Sequence, residues 1–193
     1  MACGEEEAMR LVAKKRLGGF QLDVDVEVGD RVIVMGPNGS GKSTLLKCIS
    51  GLWRCGPNHG GRWLYVPPEP QAPKRMRARD YVRILESALG VKARLELMGV
   101  DYLDKKMGEL STGMAVRLAL AVALSTDLPL ALDEPTAFLD AKWRSALAEL
   151  LQERKPVVVS THDAEFIHSL REWDFAVLDG GKVAKVERNY VAG

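Results

Sequence analysis

The sequence predicts an α/β fold built on a mainly parallel sheet, and three observations carry that expectation. Short apolar stretches at residues 31–35, 128–132 and 156–159 alternate with segments of helical periodicity at 44–50, 114–124 and 141–152, the order expected of strands joined by crossover helices. A glycine-rich octapeptide, Gly36-Pro37-Asn38-Gly39-Ser40-Gly41-Lys42-Ser43, falls between the first strand and the first helix of that series. A helical stretch at 72–112 interrupts the alternation. It reads as an inserted helical subdomain, leaving residues 1–71 and 113–193 as the core of one domain.

The elements follow in chain order. Residues 10–35 read as a β segment, because Leu22, Val24, Val26 and Val28 alternate with Asp23, Asp25 and Glu27 before a turn at Gly29-Asp30. Residues 31–35 are more continuously apolar, as a central strand should be. The basic run Lys14-Lys15-Arg16 reads as a solvated face. Leu45, Leu46 and Ile49 share a helix face, and Gly51 ends that helix. Residues 54–61 read as a surface loop, and 63–66 as a short strand stopped by Pro67, Pro68 and Pro70.

Tyr81, Val82, Leu85, Ala88 and Leu89 recur at helical spacing, predicting a helix over 79–97, with a further short helical stretch before Gly108. Residues 114–124 are apolar except for Arg117 and predict a buried helix. After a helix at 141–152 and a strand at 156–159, a short helix covers 164–170. Strands at 175–178 and 182–186, joined by Asp179-Gly180-Gly181, predict a closing hairpin.

Composition bounds the function. The 193 residues are 47% hydrophobic and 27% charged, close to globular averages. A net charge of +1 provides no footprint for general nucleic-acid binding. No apolar run approaches a membrane span, and Glu5, Glu6 and Glu7 stand where a signal peptide would be basic then apolar. A soluble chain is expected, with any membrane role acting through a partner. Cys3, Cys48 and Cys55 have no metal-ligand spacing, and their odd number points to reduced, cytosolic thiols.

The octapeptide fits G-x-x-x-x-G-K-[ST] in its required strand–helix context, which makes the core that of a P-loop NTPase. Its glycines let successive N–H groups point into one concavity, and the following helix adds its positive end. Lys42 would reach the terminal phosphates, and the Ser43 hydroxyl would hold magnesium. Three further stretches narrow the chemistry. An apolar strand delivers Asp133 and Glu134 to its C-terminal end, where ligands sit in open α/β sheets. Asp133 suits a magnesium ion through its water shell, and Glu134 suits an attacking water. Ser111, Thr112, Gly113 and Met114 open the buried helix as a second anion site. His162 ends a strand in Ser160-Thr161-His162-Asp163, able to bond a phosphate or a water.

In this order and at these spacings the four stretches resemble the ATP-binding cassette (ABC) family, over residues 20–186. Walker A is 36–43, continued by Thr44; the signature is 110–114, Walker B is 129–134, and Ala137-Phe138-Leu139-Asp140 resembles the D-loop. The resemblance implies an ATPase using ATP and Mg2+, with Glu134 and His162 catalytic. It implies a head-to-tail dimer, with itself or a similar cassette, in which Ser111 and Gly113 face the partner's nucleotide. Against the family pattern the antiparallel β subdomain is expected to be abbreviated, since only about a dozen residues separate Gly51 from Trp63. A separate membrane transporter subunit would dock on the cytoplasmic face, near residues 67–79, where Lys74, Arg75, Arg77 and Arg79 form the densest basic patch.

The chain departs from the family pattern. The Q-loop glutamine is replaced by Pro68, leaving Gln71 or Glu69 as substitutes toward the metal; Thr112 and Met114 give an exporter-type signature variant. Phe20 is the candidate for adenine stacking. A soluble, non-transport cassette serving ribosomes, DNA repair or iron–sulfur assembly is the alternative. The absence of tandem cassettes and of coiled-coil insertions weighs against it, as does the near-neutral charge.

Overall fold

The computed structural model describes residues 8–56 and 62–190. It contains strands β1 (Met9–Leu17), β2 (Phe20–Val28) and β3 (Arg31–Met35), helix α1 (Lys42–Ile49), strand β4 (Leu64–Val66) and helix α2 (Ala78–Leu89). Single 3₁₀ turns follow at Leu95–Met98 and Met107–Glu109. Then come α3 (Thr112–Leu124), β5 (Leu130–Asp133), α4 (Ala141–Gln152), β6 (Val157–Ser160), α5 (Ala164–Ser169), β7 (Trp173–Asp179) and β8 (Lys182–Tyr190).

Six strands form one sheet in the order β4-β5-β6-β3-β7-β8, parallel except for the final β7–β8 pair. The expected parallel sheet is therefore present, with β3 at its centre between β6 and β7. A separate antiparallel ribbon, β1–β2, is the short β subdomain, with Leu11 opposite Val26 and Ala13 opposite Val24. The closing hairpin turns through Gly180 (φ 50°) and Gly181 (φ 82°). Positive φ at both central residues suits the right-handed twist of the flanking strands.

Side-chain alternation splits the core into two layers. Ile33, Leu130, Leu132, Val157, Val159 and Phe175 face a helical layer that includes α3. Val32, Val34, Ala131, Val158, Ala176 and Leu178 face α1 and the β1–β2 ribbon. Each fully buried Leu, Ile or Val contributes roughly 1.5–3 kcal/mol of transfer free energy, so both faces of the sheet are strongly held. Ala78, Val82, Met98 and Met107 share the first cluster with the sheet residues.

Helix α3 is buried from Leu118 to Leu124, which is why it is apolar nearly all round. Its one cation is anchored: Arg117 Nε donates to the Met98 carbonyl at 2.7 Å, Nη2 donates to the Gly99 carbonyl, and the guanidinium lies 4.0 Å from the Trp143 ring centre.

Two expectations are corrected. The helix over 79–97 ends at Leu89, because Gly90 adopts φ 71° and turns the chain out of the helix. Only a 3₁₀ turn occupies Leu95–Met98. The thiols of Cys48 and Cys55 are not free: they form a disulfide with a Cα–Cα distance of 5.3 Å. Gly51 (φ 74°) reverses the chain after α1, and the Lys14 N–H holds the Cys55 carbonyl at 2.7 Å, bringing Cys55 against α1. Cys3 and residues 57–61 of the expected surface loop lie outside the described residues, as do Glu5, Glu6 and Glu7. Among the described residues no helix is long and apolar enough to cross a membrane.

Candidate nucleotide site

The glycine-rich octapeptide joins β3 to α1 at the C-terminal edge of the parallel strands. Gly36 (φ 145°) has no room for a side chain, since a Cβ there would lie 2.1 Å from the Leu178 carbonyl oxygen. Gly41 (φ 106°) caps α1 with its Cα against the Phe20 ring. Only glycine combines these backbone angles with such close approaches. Lys42 is buried, and its ammonium donates to the Gly36 carbonyl at 2.8 Å and the Pro37 carbonyl at 3.2 Å. The loop thereby holds its own cation across the cradle.

Beside this loop opens a cavity of about 280 Å³ lined by Phe20, Asn38, Gly39, Gly41, Lys42, Ser43, Thr44 and Glu134. Two distant segments, β2 and the end of β5, thus meet the octapeptide. Phe20 supplies an aromatic face to the wall of this cavity.

Asp133 organises the floor of the site. It is 2% exposed, and three hydroxyls from different elements donate to it. Ser160 reaches Oδ1 at 2.6 Å, Ser43 reaches Oδ1 at 3.1 Å, and Tyr65 reaches Oδ2 at 2.8 Å. A buried carboxylate is tolerated only when so bonded. Burial first, then the Asp133 charge, pushes the Tyr65 phenol above its ordinary pKa, keeping it a donor.

Glu134 follows at a strained position. Its φ of 47° is rare for a residue with a Cβ. The geometry is held by its own N–H, which donates to the Ser160 carbonyl at 3.0 Å and lies 3.1 Å from the Ser160 hydroxyl. Its carboxylate lies 3.4 Å from His162 Nε2. Next to His162, Asp163 caps α5 by accepting from the Phe166 N–H at 3.1 Å and pairs with Arg144 at 3.0 Å. Burial acts to raise its pKa, but the Phe166 N–H and the Arg144 guanidinium prevail and hold the carboxyl below the usual range.

The donor set suits a hard divalent cation. Ser43 and Asp133 present oxygens 3.1 Å apart. Magnesium takes such oxygens while keeping several waters, completing its shell from phosphates and not from a protein cage.

Other residues named from the sequence fall elsewhere. Ser111, Thr112, Gly113 and Met114 do not line the phosphate cavity of their own chain. Ser111 caps α3, accepting from the Met114 N–H at 3.2 Å, and both Ser111 and Thr112 are exposed beside a separate cavity. Gly113 abuts the Phe138 carbonyl: an added Cβ would lie 2.4 Å from that oxygen. Asp140 caps α4 through the Trp143 N–H at 3.0 Å.

Gln71 is not brought to Ser43 and Asp133, contrary to its candidacy as a metal ligand. Its amide lies 3.3 Å from the Glu69 carbonyl, and Gln71 and Glu69 both border one cavity between β4, α2 and α3 and a second beside Ser111 and Thr112. Sequence reasoning gave no role to Tyr65 or to the Ser160 hydroxyl. The available signal was parity: Tyr65 alternates with Leu64 and Val66, which face the opposite core.

Comparison with known proteins bears on these features. A family model described as ABC transporter matches residues 20–137. The chain is 32% identical to the molybdenum import ATP-binding protein ModC of Aromatoleum aromaticum, over 93% of this chain and 57% of that protein. It is 32% identical to ABC transporter F family member 2 of Arabidopsis thaliana, spanning 93% of this chain but 30% of the relative. Against the probable sulfate/thiosulfate import ATP-binding protein CysA of Chlorella vulgaris, identity is 32% over 89% and 87% of the two chains. The fold matches a dimeric ATP-binding cassette in a post-hydrolysis state bound to ADP and Pi. The TM-score is 0.78 at 22% identity, covering 95% of this chain and 99% of the other.

Proposed function

The chain belongs to the ABC transporter family of ATP-binding ATPases, and from that premise we propose that it is the ATP-hydrolysing subunit of a transporter. In this reading ATP-driven closure of a head-to-tail dimer, formed with itself or a similar cassette, works a separate membrane subunit. The observation that supports it most is a division of labour. Walker A residues and Glu134 line one cavity, with Asp133 bonded to Ser43 and His162 3.4 Å from Glu134, whereas exposed Ser111 and Thr112 line a different one. Ser111 and Thr112 do not line the phosphate cavity of their own chain, and a second copy's nucleotide would give them a phosphate to meet.

The geometry supports the following residue roles. Main-chain N–H groups of residues 36–44 and the α1 N-terminus would bind the phosphates, with Lys42 exchanging the Gly36 and Pro37 carbonyls for phosphate oxygens. Phe20 would flank the adenine. Ser43 and Asp133 would hold Mg2+, which when bound neutralises charge on the β- and γ-phosphates. Glu134 would take a proton from the attacking water as general base, with His162 at 3.4 Å orienting the same water or the γ-phosphate. Ser111 and Gly113 would contact the partner's γ-phosphate, and Asp140 would stand at the interface with the exposed Phe138. Residues 67–79 would receive the membrane subunit at the cytoplasmic face of the membrane. Within this stretch Arg79 is already paired with Asp104 and Arg77 donates to the Asp104 carbonyl at 3.1 Å, which leaves exposed Lys74 and Arg75 as the part of the basic patch without an ion pair among the described residues.

One experiment tests the reading. Glu134→Gln protein with ATP and Mg2+ should elute at twice the monomer mass and return to monomer when Mg2+ is chelated. A constant monomer mass, with ATP bound or not, would refute the dimer mechanism. Fractionation of the source cells decides the remaining clause: membrane association supports a transporter, and a purely soluble pool supports the non-transport alternative.

A further inference from the structure

Strand β4 has three residues, and their alternation has an unequal result. Leu64 and Val66 enter the helix-side core, while Tyr65 turns to the α1 side of the sheet. In the sheet order β4-β5-β6, strand β5 carries Asp133 between two neighbours. Each neighbour sends one hydroxyl: Ser160 of β6 to Oδ1 at 2.6 Å and Tyr65 of β4 to Oδ2 at 2.8 Å. The carboxylate is gripped from both sides, which sets its rotation. The third donor, Ser43, reaches Oδ1 at 3.1 Å. Once Ser43 turns its oxygen lone pair to a cation, the two flanking hydroxyls are what keep Oδ1 facing it.

The residues after β4 cannot serve instead. Pro68 has no side-chain oxygen, and Glu69 and Gln71 both border other cavities and not the phosphate cavity. The polar group that this edge of the sheet sends to Asp133 is the Tyr65 hydroxyl.

We propose that Tyr65 is a positioning residue for the metal-bound nucleotide, fixing the Asp133 carboxylate in the rotation that presents Oδ1 beside Ser43. It acts through Asp133 and touches neither nucleotide nor metal. The inference rests on reading the cavity as a magnesium–nucleotide site. Partners that orient a metal-binding side chain typically change metal affinity by about 10–100-fold when removed. Tyr65→Phe keeps the ring and its packing and deletes only the donor.

The test compares wild type with Tyr65→Phe using two probes: binding of a non-hydrolysable ATP analogue in EDTA, and Mn2+ binding to the analogue complex by electron paramagnetic resonance. The expected result is Mn2+ affinity weaker by about 10-fold, with metal-free analogue affinity unchanged. Equal Mn2+ affinity in the two proteins overturns the assignment. So does a parallel loss of metal-free affinity, which would mark Tyr65 as a general support of the pocket. If wild type shows no Mn2+ binding with the analogue, the reading of the cavity itself fails, a result distinct from equality of two measurable affinities.

Discussion

Gly113→Ala sets two physical effects against each other. Gly113 lies in the first turn of α3, and by helix propensity alone alanine should stabilise it by about 1 kcal/mol. The contact predicts the reverse, because the new Cβ would lie 2.4 Å from the Phe138 carbonyl oxygen. That atom is main chain, so relief requires moving either α3 or the segment between Glu134 and Asp140. Overpacking of this kind costs about 1–3 kcal/mol, and a backbone obstacle places it toward the upper end. The clash therefore wins by about 1–2 kcal/mol. In a domain of this size that lowers the melting temperature by roughly 2–8 °C.

The same displacement moves Ser111 and Asp140 relative to each other, so the ATP-dependent dimer of the Glu134→Gln background should weaken as well. Thermal unfolding by circular dichroism measures the first effect and sizing with ATP and Mg2+ the second. A Gly113→Ala protein that melts at or above the wild-type temperature would refute the reasoning, showing that propensity outweighs the contact.

Three other outcomes are expected. Glu134→Gln should lower phosphate release by about 10²–10⁴-fold, the usual contribution of a general base, while nucleotide affinity stays at the wild-type value; equal turnover would remove Glu134 from the chemistry. Cys48→Ser, or reduction with dithiothreitol, should cost about 2–3 kcal/mol by the loop-entropy model for a separation of 7 residues, read as a lower melting temperature. A melting temperature insensitive to reductant would show that the cross-link does not constrain the chain. For Asp163, whose native pKa is lowered by Phe166 and Arg144 against the opposing effect of burial, the charged form favours the folded state. That stabilisation is present above the unfolded pKa of about 4 and is lost as pH falls through the lower native value. Asp163→Asn should therefore melt below wild type at neutral pH, with the gap closing in acid below about pH 4; a gap independent of pH would refute the assignment.

Much of this molecule was legible from residue order. The phosphate loop is contiguous, and strand, glycine turn, lysine and helix announce themselves because all their physics lies within a few residues. The alternation of strands and helices, and the β segment at 10–35, followed from hydrophobic period, since 2.0 and 3.6 residues per repeat are properties of the backbone. Helix ends were less accurate: the pattern ran on to residue 97, but Gly90 adopted a left-handed conformation that a periodicity count does not register.

What only the tertiary structure decided involves pairs far apart in the chain. Tyr65 and Ser160 meet at Asp133 because strands β4 and β6 flank β5, and strand order is a property of the assembled sheet. Cys48 meets Cys55 only once Gly51 has reversed the chain and the Lys14 N–H has taken the Cys55 carbonyl. Gly113 reads as part of an anion-binding motif, yet its lack of a side chain also answers to a carbonyl 25 residues later in the chain, at Phe138. Residue order alone determined which groups could do the chemistry, because hydroxyl, carboxylate and ammonium are covalent properties. Folding decided which of them share one cavity and which face outward toward a second molecule, because proximity depends on how the whole core packs.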